Sequence, residues 1–228
     1  MDGIILVDKP PNKTSHQVVQ IIKKKLRAQK VGHAGTLDPL ATGLLVILVN
    51  KATKLSNLLL NKDKVYEVTV QLSIETVTGD ITGQIIKEEK VKNIELKQIN
   101  QALASFNNSE YWQKPPLYSA IKLKGKKLYQ YARQNLKVEV PARLVKINNL
   151  ELLDYVPQQG IMKLLVNCSK GTYIRSLIKD IAEKLETIAT VSQLRRISSG
   201  NFHLPESVSL EEVSLEKIIA LEKIDMIN

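Results

Sequence analysis

A chain of 228 residues with 43% hydrophobic and 25% charged residues carries enough apolar side chains for a sizeable core, which excludes a disordered or fibrous protein. The lone Cys168 cannot pair within the chain, so a disulfide scaffold is excluded and a reducing, cytoplasmic setting is expected. Thirty-three basic against twenty-three acidic residues give a net charge of +10, which suits either a polyanionic partner such as nucleic acid or a merely lysine-rich surface.

The stretch "MDGIILVDKPP" has a five-residue apolar run before Asp8, too short for a secretion signal or a membrane span, and reads as a first strand. "TSHQVVQIIKKKLRAQ" places Val18, Val19, Ile22 and Leu26 near one helical stripe, with Thr14 or Ser15 as the cap. "LLVILVN" reads as a buried strand. "VYEVTVQL" alternates, so Tyr66, Val68, Val70 and Leu72 share one face, with Glu67, Thr69 and Gln71 on the other. "ETVTGDITG" is turn chemistry, and "IELKQINQALASF" reads as a surface helix. "YSAIKLKGKKLYQYARQ" reads as a strand, a lysine–glycine bend and a helix. "IMKLLVNCSKG" puts Met162, Leu164, Val166 and Cys168 on one strand face. "TYIRSLIKDIAEKL" opens a helix striped by Leu177, Ile178, Ile181, Ala182 and Leu185. A terminal helix is expected within "SVSLEEVSLEKIIALEKIDMIN". Strands and helices alternate irregularly, without an internal repeat or linker. The expected fold class is therefore α+β, a mixed, mostly antiparallel central sheet with flanking helices in a single domain over residues 1–228.

Several chemistries lack their residues. There is no phosphate-cradling loop, no dinucleotide fingerprint and no nucleophile elbow. His16, His33, His203 and Cys168 have no metal-ligand spacing. No metal and no nucleotide or other cofactor is expected, so ordinary side chains must carry any reaction.

The stretch "VGHAGTLDPLATG", residues 31–43, surrounds one carboxylate, Asp38, with three glycines and a proline. Pro39 pushes Asp38 towards extended backbone, and Gly32, Gly35 and Gly43 permit left-handed backbone or close approach. Such a loop can present a carboxylate to a ligand at a fixed angle. Asp-Pro also starts ordinary turns, and spacing alone leaves both readings open.

"GHAGTLDPLATG" resembles the signature loop of the bacterial tRNA pseudouridine-55 synthase family. "GIILVDKPPNKTSH", "KVYEVTVQL", "KPPLYSAIKLKGKKLYQYAR", "CSKGTYIRSLIKDIAEKL" and "QLRRISSG" resemble further blocks of that family, in its order, from residue 3 to about residue 200. The resemblance implies a pseudouridine synthase fold and a cofactor-independent RNA isomerase. Its partner would be the T-arm stem-loop of tRNA, with no membrane partner and a monomer as the default state. It implies Asp38 as the catalytic carboxylate, Tyr66 as the tyrosine that stacks on the target base, and Arg175 as the active-site arginine, with Asp80 as its supporting aspartate. Lys9 and Pro10 match a motif beside the active site. His33 matches the histidine that enters the RNA loop and keeps the flipped uridine out of its stack. Tyr173 matches a substrate contact, and Leu194 an apolar residue lining the pocket. The lysines Lys122, Lys124, Lys126 and Lys127 are candidate phosphate contacts. Whether the carboxylate attacks base or ribose, or assists a glycal route, stays open. A tRNA-folding chaperone that binds the T-arm without chemistry is the alternative reading. The chain departs from the family pattern at Val77, where an aspartate is usual. Family members commonly continue into a C-terminal RNA-binding domain, which is expected to be absent or vestigial here.

Overall fold

Alternation and capping chemistry account for the main elements of the structure, a computed structural model that describes residues 1–134, 136 and 138–224. β1 (Gly3–Lys9) is the first apolar run and ends where Pro10 removes a donor. Thr14 then caps α1 (Ser15–Leu26). Its hydroxyl accepts from the Gln17 N–H, and the Gln17 side chain accepts from the Thr14 N–H. Val18, Val19 and Ile22 are buried, while Leu26 at the end of the stripe is half-buried. The helix stops at Arg27, whose left-handed backbone turns the chain.

The chain continues through β2 (Val31–His33), β3 (Thr42–Val49) and α2 (Ser56–Leu60) to β4 (Lys64–Leu72). β5 (Ile74–Thr76) and β6 (Ile85–Glu88) form a separate antiparallel pair, followed by α3 (Leu96–Ala104) and β7 (Ser109–Gln113). β8 (Lys122–Leu123) and β9 (Lys126–Lys127) make a second hairpin before α4 (Leu128–Arg133). Then come β10 (Arg143–Val156), β11 (Ile161–Cys168) and α5 (Ile174–Lys184). β12 (Ala189–Ser199), β13 (Phe202–His203), β14 (Ile219–Ala220) and α6 (Leu221–Ile224) complete the order.

Two compact units divide the chain: Met1–Glu67 with the residues from Leu194 onward, and Val68–Gln193. The chain leaves the first unit within β4 and returns to it within β12. In the first unit, β1 lies between β14 and β3, antiparallel to both. β2 adds antiparallel to β3, and β12 runs parallel to it through Arg195–Thr42 and Arg196–Gly43. The core of this unit joins Ile4 and Leu6 of β1 to Leu44, Val46 and Leu48 of β3, with Phe202. Burying each such side chain contributes about 1.5–3 kcal/mol. In the second unit, β10 pairs antiparallel with β11 and β7, and α3 packs on β10 and α5. Met162, Leu164, Val166 and Cys168 are buried together, as are Leu177, Ile178, Ile181, Ala182 and Leu185 of the α5 stripe.

These mostly antiparallel sheets with flanking helices are the α+β class expected. Two local expectations are corrected. The strand expected before the Lys124–Gly125 bend is only two residues long, because both bend residues take positive φ and reverse the chain at once. In place of one terminal helix, the residues from 207 to 224 give a 3-10 turn (Leu215–Lys217), β14 and the short α6. The part of that expected helix from 225 onward lies outside the described residues. No helix among the described residues is long and apolar enough to cross a membrane.

Candidate active site

Asp38 lies in the loop between β2 and β3, and the main chain of that loop is held at several points on both sides of the aspartate. The Ala34 N–H donates to Val46 O at 2.9 Å, which pins the loop's start to β3. The Ala41 N–H donates to Asp38 O at 3.1 Å, closing a turn with Pro39 at the position whose φ the pyrrolidine ring supplies. Ser15, on the first turn of α1, donates to Leu37 O at 3.1 Å and accepts from the Leu37 N–H at 2.8 Å. The Asn12 N–H donates to Pro39 O at 2.9 Å. Asp38 itself is half-exposed on this immobilised frame.

Two buried cations complete the frame. Lys9 has 0% exposure, and its ammonium donates to Pro10 O at 2.9 Å, Lys13 O at 2.7 Å and Pro39 O at 3.3 Å. Burial lowers the Lys9 pKa to about 8. The Asp38 carboxylate opposes that shift, and the Arg196 charge adds to it. Arg196 is likewise fully buried. Its Nε donates to Leu44 O at 2.7 Å and its Nη2 to Gly35 O at 3.2 Å, so one guanidinium grips both flanks of the Asp38 loop. Gly43 has φ +94°, and a Cβ there would lie 2.3 Å from Arg196 O. Glycine is what lets β3 and β12 approach at this point.

The other expected residues of the first unit are placed as follows. Pro10 ends β1 and is half-buried. Tyr66 is the third residue of β4 and is nearly buried, on the face shared with Lys64 and Val68. Leu194 is buried in β12, two residues before Arg196. His33 ends β2 half-buried, with Nδ1 shielded and without a hydrogen-bond partner. Burial lowers its pKa, and the charges of Arg196 and His16 lower it further, so the ring is neutral at neutral pH.

The second unit brings Asp80 and Arg175 to one loop. Asp80 is buried, and its Oδ1 accepts from Thr78 Oγ1 at 3.1 Å, the Thr82 N–H at 3.1 Å and Thr82 Oγ1 at 2.5 Å. This folds the 78–82 turn and presents the Thr78 carbonyl to Arg175, whose Nη1 donates to it at 2.6 Å. Arg175 Nη2 donates to Tyr118 O at 2.9 Å. Arg175 is the second residue of α5 and is buried, and its stem lies 3.4 Å from where a Cβ on Gly79 would be. Tyr173 is the N-cap of α5, with extended backbone. Val77 is exposed, and Lys122, Lys124, Lys126 and Lys127 are exposed on the β8–β9 hairpin.

Sequence reasoning missed Ser15 and Arg196 as parts of the Asp38 frame. Arg196 left a trace in the alternation Leu194–Arg196–Ser198, which marks it as inward-facing. Ser15 was weighed only as a helix cap. Among the described residues, no group of three or more His, Cys, Asp or Glu could hold a metal ion.

Known proteins match the chain over nearly its whole length. Residues 23–174 match the model of the TruB family pseudouridylate synthase N-terminal domain, and residues 175–226 that of the tRNA pseudouridylate synthase B C-terminal domain. The chain is 50% identical to the tRNA pseudouridine synthase B of Mesoplasma florum over 219 residues, 96% of this chain and 76% of that one. It is 43% identical to the protein of that name from Ureaplasma urealyticum serovar 10 over 211 residues, 92% of each chain. Among solved structures, a chain of a Cbf5–Nop10–Gar1 complex superposes with a TM-score of 0.71 at 32% identity. The match covers 92% of this chain and 53% of that one, so this chain spans about half the length of that solved relative. The chain belongs to the TruB family of pseudouridine synthases.

Proposed function

We propose that this chain converts uridine to pseudouridine in tRNA, at uridine 55 of the T-arm loop, with Asp38 as the catalytic carboxylate. The reaction breaks the bond from N1 of uracil to C1′ of ribose, turns the base and joins C5 to C1′. It is an isomerisation, so it needs neither an oxidant nor a phosphoryl donor. The observation that carries the reading is the clamping of the Asp38 loop. Ser15, Lys9 and Arg196 take up the main-chain groups on either side of the aspartate, which leaves the carboxylate half-exposed on a frame with little freedom. Preorganisation of this kind makes a carboxylate effective as nucleophile or proton acceptor.

The remaining roles are those the family resemblance implies, and chemistry supports them. A uridine in a folded loop must be extruded before reaction, and a neutral His33 ring offsets the stacking that the extruded base gives up. Tyr66 supplies an aromatic floor for the base, and Leu194 the apolar wall beside it. Lys9 and Pro10 hold the Asp38 loop, and Tyr173 contacts the nucleotide. Arg175, held by the turn that Asp80 folds, is the active-site arginine of this reading, a guanidinium kept in one orientation. The exposed lysines of the β8–β9 hairpin contact phosphates and confer salt-dependent affinity.

The test is incubation of the purified chain with unmodified tRNA, followed by mapping of pseudouridine by mass spectrometry, with Asp38→Asn in parallel. One pseudouridine at position 55 with the parent chain, and none with Asp38→Asn at unchanged tRNA affinity, supports the reading. Product with Asp38→Asn would remove the carboxylate from the mechanism. Tight binding without product from the parent chain would point to a tRNA chaperone.

A further inference from the structure

We infer that Gln113 is a positioning residue for this reaction, because its buried carboxamide holds the main chain of Tyr173 and so fixes where α5 presents Tyr173 and Arg175. The inference rests on the roles proposed above for those two residues.

Gln113 is the last residue of β7 and pairs with Arg143 of β10. Its side chain, 2% exposed, acts like a short extension of the ladder towards α5. Oε1 accepts from the Tyr173 N–H at 2.8 Å, and Nε2 donates to Tyr173 O at 3.2 Å. The second Nε2 hydrogen goes to the Tyr111 hydroxyl oxygen at 2.5 Å. Both carboxamide hydrogens and its oxygen are therefore committed, which a buried amide requires.

The N-terminus of α5 has little local means of holding itself. Tyr173 stands at the N-cap but makes no side-chain capping hydrogen bond, and the first turn contains no acidic residue. Ser, Thr, Asp or Asn would ordinarily do this work. Here a residue from another element binds the N-cap main chain. The residue after the strand continues the attachment, where Ser176 Oγ donates to Lys114 O at 2.8 Å. Burial pushes the Tyr111 phenol well above its ordinary value, and the Asp180 charge adds to the shift, so the hydroxyl that accepts from Gln113 stays protonated. The network Tyr111–Gln113–Tyr173 thus ties the end of β7 to the N-cap of α5. Arg175 leaves the helix inside this docked segment, with separate nitrogens on the carbonyls of Thr78 and Tyr118. A small slide or rotation of the N-cap would carry the guanidinium off both carbonyls together. A displacement of about 1 Å can cost a reaction about 100-fold.

The experiment uses Gln113→Met, which keeps the shape and loses all three hydrogen bonds, and Gln113→Glu, which keeps an acceptor for the Tyr173 N–H. Val145→Ala, a buried change in the neighbouring β10, is the control for loss of stability alone. Single-turnover pseudouridine formation, tRNA affinity and amide hydrogen exchange over residues 173–176 are measured on each. Gln113→Met is expected to lower the single-turnover rate by at least about 30-fold, with tRNA affinity held within about threefold and faster exchange at residues 173–176. Gln113→Glu should fall between Gln113→Met and the parent chain, and Val145→Ala should keep the rate within about threefold despite a lower Tm. A Gln113→Met rate equal to that of Val145→Ala, or unchanged exchange at Tyr173, overturns the inference. If Gln113→Met does not fold, a parent-like rate and exchange in Gln113→Glu overturn it instead. A parent chain that forms no product would defeat the functional reading, and the exchange measurement would then decide whether Gln113 holds α5.

Discussion

Ser15 and Leu37 exchange two hydrogen bonds: the serine hydroxyl donates to the Leu37 carbonyl and accepts from the Leu37 N–H, one residue before Asp38. Both groups are buried, so no water stands ready to replace the hydroxyl. Ser15→Ala is expected to lower stability by about 1–3 kcal/mol, since it leaves a buried donor and a buried acceptor unpaired. Urea unfolding measures this directly. Loosening the Asp38 frame should also lower the single-turnover rate more than it lowers tRNA affinity. A variant that loses stability but keeps its rate would detach Ser15 from the placement of Asp38.

Gly43 faces the main chain of Arg196 at a distance that a Cβ cannot share. Gly43→Ala combines strain at φ +94° with a contact of 2.3 Å to Arg196 O. Gly171 also has positive φ, at +79°, but a Cβ there meets nothing within 4 Å. Gly171→Ala should therefore cost only the left-handed penalty of about 1–2 kcal/mol. Gly43→Ala should cost clearly more, because β3 and β12 must part as well. Denaturant midpoints of the two variants check the ordering. Equal losses would mean that the strands yield without strain.

Much of the framework was legible because it follows from short-range patterns. The alternation of "VYEVTVQL" placed Tyr66 on the buried face of β4, and the apolar stripe of "TYIRSLIKDIAEKL" placed α5. The buried cations were not legible. Lys9 stands between Asp8 and Pro10, where a lysine reads as solvated, and one of its acceptors, Pro39 O, comes from 30 positions away. Arg196 takes its partners from Gly35 and Leu44, more than 150 positions back. Local spacing cannot reveal a charge whose burial depends on carbonyls brought in by the fold. β12 was missed for a related reason. Its first residues, 189–191, are buried without alternation, and the period-two pattern begins only at Gln193. The role expected for Asp38 came from resemblance, since its loop alone left an ordinary turn open.

Lys9 makes the reaction and the fold respond to pH in opposite directions. Its pKa in the fold is about 8, against an ordinary value of 10.5. As pH rises through 8 the ammonium becomes an amine with two hydrogens, which can serve only two of the three carbonyls it now holds. The longest bond, to Pro39 O beside Asp38, is the one expected to fail, so the single-turnover rate should fall above about pH 8. Stability behaves otherwise. Between about pH 8 and 10.5 the unfolded chain binds this proton and the folded chain does not, so the Lys9 contribution to stability rises with pH. Lys9→Met should abolish both the rate limb and the stability gain. A rate limb that persists in Lys9→Met would assign it to another group.

Arg175→Lys tests whether charge alone suffices at the start of α5. The guanidinium spans two carbonyls with separate nitrogens, Thr78 O at 2.6 Å and Tyr118 O at 2.9 Å. A lysine ammonium is a single point of charge on a flexible stem and cannot reproduce that fork. Leaving one part-buried carbonyl without its charged donor should lower stability by about 1–2 kcal/mol. The larger effect is expected on catalysis, because the lysine charge is free to leave the orientation that the two carbonyls impose. The rate should fall by more than about tenfold, with tRNA affinity little changed. Comparing the single-turnover rate with the Tm of Arg175→Lys separates the two effects. A parent-like rate at a lowered Tm would make Arg175 a strut between the 78–82 turn and Tyr118 rather than a participant in the reaction.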